Sequence, residues 1–98
     1  MPLTPSQKRY LRGLAHHLKP VVMLGQQGVS QGVLAELDAA LEHHELVKVR
    51  LGSLGGPEPR ERVIGELCAA TGAERVQTIG HVAVLYRPAR EAPRIRLP

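Results

Sequence analysis

Apolar residues along this chain switch repeatedly between helical and extended spacing, and that alternation restricts the possible folds more than any other feature. Thr4-Pro5-Ser6-Gln7 has the form of a capping box, with Thr as N-cap, Pro at the first helical position and Gln three residues on. Leu11, Leu14, Ala15 and Leu18 then recur at helical spacing as a buried stripe, with Lys8, Arg9 and Arg12 mostly off it. Pro20 is expected to end that helix, because a residue preceding proline is pushed out of the α region. Val21-Val22-Met23-Leu24 follows as a continuous apolar run, which predicts a strand covered on both faces or at the centre of a sheet.

The cycle then repeats. Ser30 can cap a second helix running to about His44, with Val33, Leu34, Leu37, Ala40 and Leu41 as its stripe and Glu36, Asp38 and Glu42 outside it. Leu46 to Leu51 alternates, placing Val47, Val49 and Leu51 on one side and the cations Lys48 and Arg50 on the other. A Gly- and Pro-rich loop over residues 52–60 leads into a third helix from near Pro59. That helix buries Val63, Ile64, Leu67 and Cys68 and is capped by Gly72. Val76 to Ile79 and Val82 to Arg87 read as two strands joined at Gly80-His81, a hairpin. Pro88 to Pro98, with three prolines and three arginines, reads as an irregular tail with Ile95 and Leu97 docked on the body. The element order is α-β-α-β-α-β-β. A chain of 98 residues predicts one α/β domain over residues 1–98. With no Phe, no Trp and two Tyr, its core must be built from Leu, Val, Ile and Ala.

Composition excludes several classes. The longest apolar runs are four or five residues, far below the roughly 20 of a membrane helix. The first ten residues, MPLTPSQKRY, contain no apolar segment of a secretory signal, and a lone Cys68 fits a reducing compartment, so a cytoplasmic protein is expected. No catalytic constellation is legible. His43-His44-Glu45 lacks the second histidine of a zinc-protease helix, where Lys48 stands instead. His16-His17 and His43-His44 are adjacent pairs that diverge around a helix, and Cys68 lies on an apolar stripe. The expectation is therefore no enzyme, no metal, no cofactor and no small-molecule substrate.

The net charge of +4 is distributed in blocks. Residues 1–28 carry +4 with no acid, residues 29–74 carry −4, and residues 75–98 carry +4. If the fold joins the two ends, they make one basic face, the electrostatic footprint of a nucleic-acid binder. Gly25-x-x-Gly28 lies between a strand and a capped helix. Glycines there let phosphates approach the main chain, and the helix start adds N–H groups and a positive dipole end. Such a loop holds the RNA backbone in KH domains. No aromatic ladder accompanies it, which argues against base stacking of the RRM or OB type and for recognition of backbone and shape.

Leu14-Ala15-His16, Leu18-Lys19-Pro20-Val21-Val22, Leu24-Gly25-x-x-Gly28-Val29-Ser30, Gly32-Val33-Leu34, Leu41 to Val49, Gly72-Ala73, Ile79-Gly80 and Val84 to Pro88 together resemble the bacterial YhbY family, from about Leu3 to Leu97. That family is the stand-alone form of the CRM (chloroplast RNA splicing and ribosome maturation) domain. The resemblance implies a two-layer α/β domain with a mixed four-stranded sheet, similar to the C-terminal domain of translation initiation factor 3. It also implies a protein that binds rRNA in precursors of the large ribosomal subunit; separately, a monomer is expected. Carried onto this chain, the RNA-binding positions are Gly25, Gln26, Gln27 and Gly28, with Lys8, Arg9, Arg12, Lys19, Lys48 and Arg50 as candidate phosphate contacts. Many such loops carry a cation between the glycines. Here both positions are Gln, so charge must come from the flanking elements. The competing reading is a protein-interaction module whose acidic second helix or Pro/Arg tail docks on a ribosomal protein or assembly GTPase.

Overall fold

A computed structural model describes residues 2–25, 28–52 and 57–98. The elements are α1 (Pro5–Ala15), β1 (Pro20–Met23), α2 (Gln31–His44), β2 (Leu46–Arg50), α3 (Pro57–Thr71), β3 (Glu74–Ile79) and β4 (Val82–Tyr86), in the expected order. The four strands form one mixed sheet in the order β1-β2-β4-β3, with β1 parallel to β2 and the other pairs antiparallel.

Local chemistry explains the boundaries. Thr4 accepts from the Gln7 N–H at 3.1 Å while the Gln7 side chain accepts from the Thr4 N–H at 3.0 Å, completing the capping box. Ser30 caps α2 through the Val33 N–H, and Gly72 ends α3 at φ +77°, a value that suits glycine. The first helix stops at Ala15, earlier than the Pro20 boundary expected from steric exclusion, and Pro20 instead opens β1. The third helix begins two residues before Pro59, and residues 53–56 of the preceding loop lie outside the described residues.

Strand alternation assigns the sheet two unequal faces. One buries Val22, Val47, Val49, Ala83 and Leu85 against Leu37 and Leu41 of α2 and Ile64 and Leu67 of α3. The other buries Leu46, Val76, Val84 and Tyr86 against Leu11 and Ala15 of α1, with Leu3, Ile95 and Leu97 packed at the margin. The expected two layers are the sheet with α2 and α3, and α1 adds a short third layer. Because α1 is only eleven residues long, part of its sheet face stays open to solvent.

Two burial expectations are corrected. Leu14 and Leu18 are each 39% exposed, since the stripe of α1 that meets the sheet is only Leu11 and Ala15 wide. The strand at Pro20–Met23 is an edge strand, neither central nor doubly covered, with Val21 49% and Met23 64% exposed on the open face.

Candidate nucleic-acid interface

The register places the glycine loop beside Arg50 at one end of the sheet. Met23 pairs with Arg50, and the Leu24 N–H extends the ladder to the Arg50 carbonyl at 2.9 Å. The Leu51 N–H donates to the carbonyl of His81, in the β3–β4 turn, at 2.6 Å. Gly25 therefore leaves the sheet beside Arg50, at the end where the hairpin turns.

The loop closes on itself through the Gly28 N–H, which donates to the Gly25 carbonyl at 3.1 Å, with Gly28 at φ +68°. A Cβ built on either glycine would meet nothing within 4 Å, so the main chain is open to close approach. Gln26 and Gln27, the two other expected loop contacts, lie outside the described residues. The first turn of α2 holds no acid, which leaves its positive dipole end uncompensated next to the loop.

The expected cations divide into two groups. Arg50 is exposed and Lys48 half-buried on the open face of β2. Arg12 reaches the same ground from α1, lining a hollow with Lys48. Lys8 precedes Arg12 by one helical turn on the same flank. Arg9 is exposed on the side of α1 away from its buried stripe. Lys19 stands before the opposite end of β1, roughly 20 Å from Gly25 at the rise of a strand. It rims a separate apolar hollow of about 410 Å³ with Leu14, Leu18, Val21 and His44. Arg12 and Lys48 are thus brought together, with Arg50 two residues along the same strand face and Lys8 one helical turn from Arg12, whereas Arg9 faces away and Lys19 directly precedes Pro20, the residue paired with Lys48.

The two chain ends do meet, the Gln7 amide donating to the Pro98 carbonyl at 3.2 Å. Arg87, just past the end of β4, and the tail's Arg90 answer the acids of α2. Arg87 and Arg90 pair with Asp38 at 2.6 and 2.8 Å, and Arg87 also reaches Glu42 at 3.5 Å. The hydrogen bond from Arg90, and then that from Arg87, holds the Asp38 carboxyl below its ordinary range. The Arg90 backbone N–H does the same for Glu42. Arg94 donates to the carbonyls of Glu42 and His43 at the end of α2. The acidic helix and the Pro/Arg tail, on which a protein-docking reading rests, therefore engage each other.

Glu45 organises this junction and was not singled out as such from sequence. It is fully buried and receives the N–H groups of Ala89, Arg94 and Ile95 at 2.7 to 2.9 Å. Burial would raise its carboxyl, but the three N–H donors outweigh that and hold it below the ordinary value. The signal is legible in principle: Asp38 and Glu42 lie one turn apart, Glu45 follows shortly after, and arginines recur in the tail. Cys68 is half-buried, and burial pushes its thiol up, away from nucleophilic use.

Comparison with known proteins agrees on the whole chain. Residues 3–87 match the CRS1 / YhbY (CRM) domain. An RNA-binding protein of Haemophilus influenzae is 52% identical over 96 residues, covering 98% of this chain and 95% of the relative. A protein of Pseudomonas aeruginosa named as a probable RNA-binding protein is 45% identical, with 89% and 83% covered. The solution structure of a Staphylococcus aureus protein, described as a candidate RNA binder, superposes with a TM-score of 0.84 at 37% identity. That match covers 99% of this chain and 100% of the other.

Proposed function

The chain belongs to the CRS1 / YhbY (CRM) domain family, and from that premise we propose that it binds RNA non-catalytically and serves assembly of the large ribosomal subunit in the cytoplasm. The Gly25-to-Gly28 turn and the start of α2 hold the sugar-phosphate backbone. Arg12, Lys48 and Arg50 supply the attraction, Lys8 adds to it at the margin, and Gln26 and Gln27 offer uncharged hydrogen bonds. The observation that carries this reading is an open glycine turn at the end of a strand, level with Arg50, a cation that pairs with no described carboxylate. The names of the relatives support the choice of RNA as the ligand.

Gly25→Asp tests the clamp, because Gly25 lies in open space and outside the left-handed region, so Asp fits without strain. The added carboxylate should weaken binding to precursor rRNA of the large subunit at least tenfold, with an unchanged circular dichroism spectrum and melting temperature. A folded variant that binds as well as the parent removes the loop from the interface. Crosslinking in growing cells should map the protein to large-subunit rRNA precursors, and crosslinks confined to other RNAs would overturn the assembly role.

A further inference from the structure

Between α1 and the open face of the sheet lies a hollow of about 310 Å³, lined by Arg12 and Gly13 of α1, His16 just past its end, Lys48 of β2, and Gln77 and Ile79 of β3. From this juxtaposition we propose that the hollow is a base-reading subsite, which takes the base of one unpaired nucleotide while Arg12 and Lys48 hold its phosphates. The inference rests on the RNA-binding reading above. It adds to a backbone clamp, which carries no sequence information, a contact that does.

The register makes the case. Lys48, Val84 and Gln77 form one row across β2, β4 and β3, and Arg50, Val82 and Ile79 form the next row toward the glycine turn. Cations thus stand on one strand, an amide and an aliphatic side chain stand two strands away, and valines lie between. Two strand spacings are roughly 10 Å, room for a base with its ribose. Among the described residues no carboxylate lines the hollow, so the site suits an anionic ligand.

Gln77 and Ile79 occupy this face because β3 is irregular. The pairing shifts between Arg75 and Gln77, so Val76 is left out of the ladder. Val76 packs against Leu11 in the cluster under α1, and Gln77, its immediate neighbour, lines the hollow on the same side. Strict alternation after Val76 would have turned Gln77 toward α2 and α3 instead. Bulges recur where a strand must re-aim a side chain at a ligand. The amide so aimed is half-buried, and it offers a donor and an acceptor at once, the pair that reads a base edge. Ile79 is 55% exposed, a large apolar surface on which the base can rest.

The test selects from a pool of single-stranded RNA 14-mers of random sequence, with the parent, Gln77→Ala and Lys48→Ala, followed by sequencing and affinity measurement at several salt concentrations. The parent should prefer one base at one position by roughly 5- to 150-fold. Gln77→Ala should lose that preference with an unchanged salt slope, because an amide neutralises no phosphate. Lys48→Ala should keep the preference and flatten the slope by about 0.7. A parent that retains RNA without base preference, or a Gln77→Ala variant that keeps it, overturns the subsite alone. A parent that retains no RNA overturns the RNA-binding reading and the subsite together.

Discussion

Glu45 shows how much one side chain can hold in a chain of this size. It sits at φ +66°, a region that costs a non-glycine residue on the order of 1–2 kcal/mol, directly after the last residue of α2. Its backbone carbonyl accepts from the Arg87 N–H at 2.9 Å while its carboxylate receives three further N–H groups from the tail. The carboxylate outweighs the strain. Glu45→Ala should cost about 3 kcal/mol by urea denaturation, since one buried and two partly buried donors lose a charged acceptor. Glu45→Gly should cost roughly 1 kcal/mol less, because glycine tolerates the positive φ. Because the native carboxyl lies below its ordinary value, its contribution is complete above the unfolded pKa of about 4.3 and is lost as the pH falls through the native value. Acid titration followed by amide exchange at Ala89 and Ile95 should show the tail loosening in that window, ahead of the core.

At the scale of elements, β1 separates what periodicity can and cannot tell. Four consecutive apolar residues have no alternation, so their sequence does not say whether one face or two is covered. The neighbours decide it: β2 pairs with β1 on one side only, and α2 covers the Val22 face while α1 stops short of Val21 and Met23. Val22→Ala should therefore destabilise the protein by roughly 2 kcal/mol, and Val21→Ala by less than about 0.5. Equal losses from the two, in parallel denaturation curves, would contradict the edge assignment. The cap residues were more legible, because Thr4, Ser30 and Gly72 each act on backbone groups within four residues of themselves. Gln77 was not, because the irregularity that turns it depends on how β3 pairs with β4.

For the whole molecule, the charge blocks resolve into a neutralised side and an open one. Arg87 and the tail's Arg90 pair with Asp38 of α2, while Arg12 and Lys48 remain on the open face of the sheet and Arg50 beside the glycine turn. A chain ending at Pro88 should lose several degrees of melting temperature, as Ile95 and Leu97 leave the cluster of Leu11 and Tyr86. Measured below its transition, it should keep the parent's salt slope for RNA, because Arg90 is paired with Asp38, Arg94 is held at the end of α2, and the proposed interface does not use Arg96. A slope shallower by two or more would place the tail in the interface instead.

Element order, helix caps, the aliphatic core and the glycine turn follow from the sequence alone, because each is set by residues a few positions apart. Which cations share a face, which apolar residues stay exposed and where the tail docks were decided only by the tertiary structure. Those outcomes depend on strand order, register and the length of α1, which bring together residues up to 91 positions apart, and no local pattern encodes them.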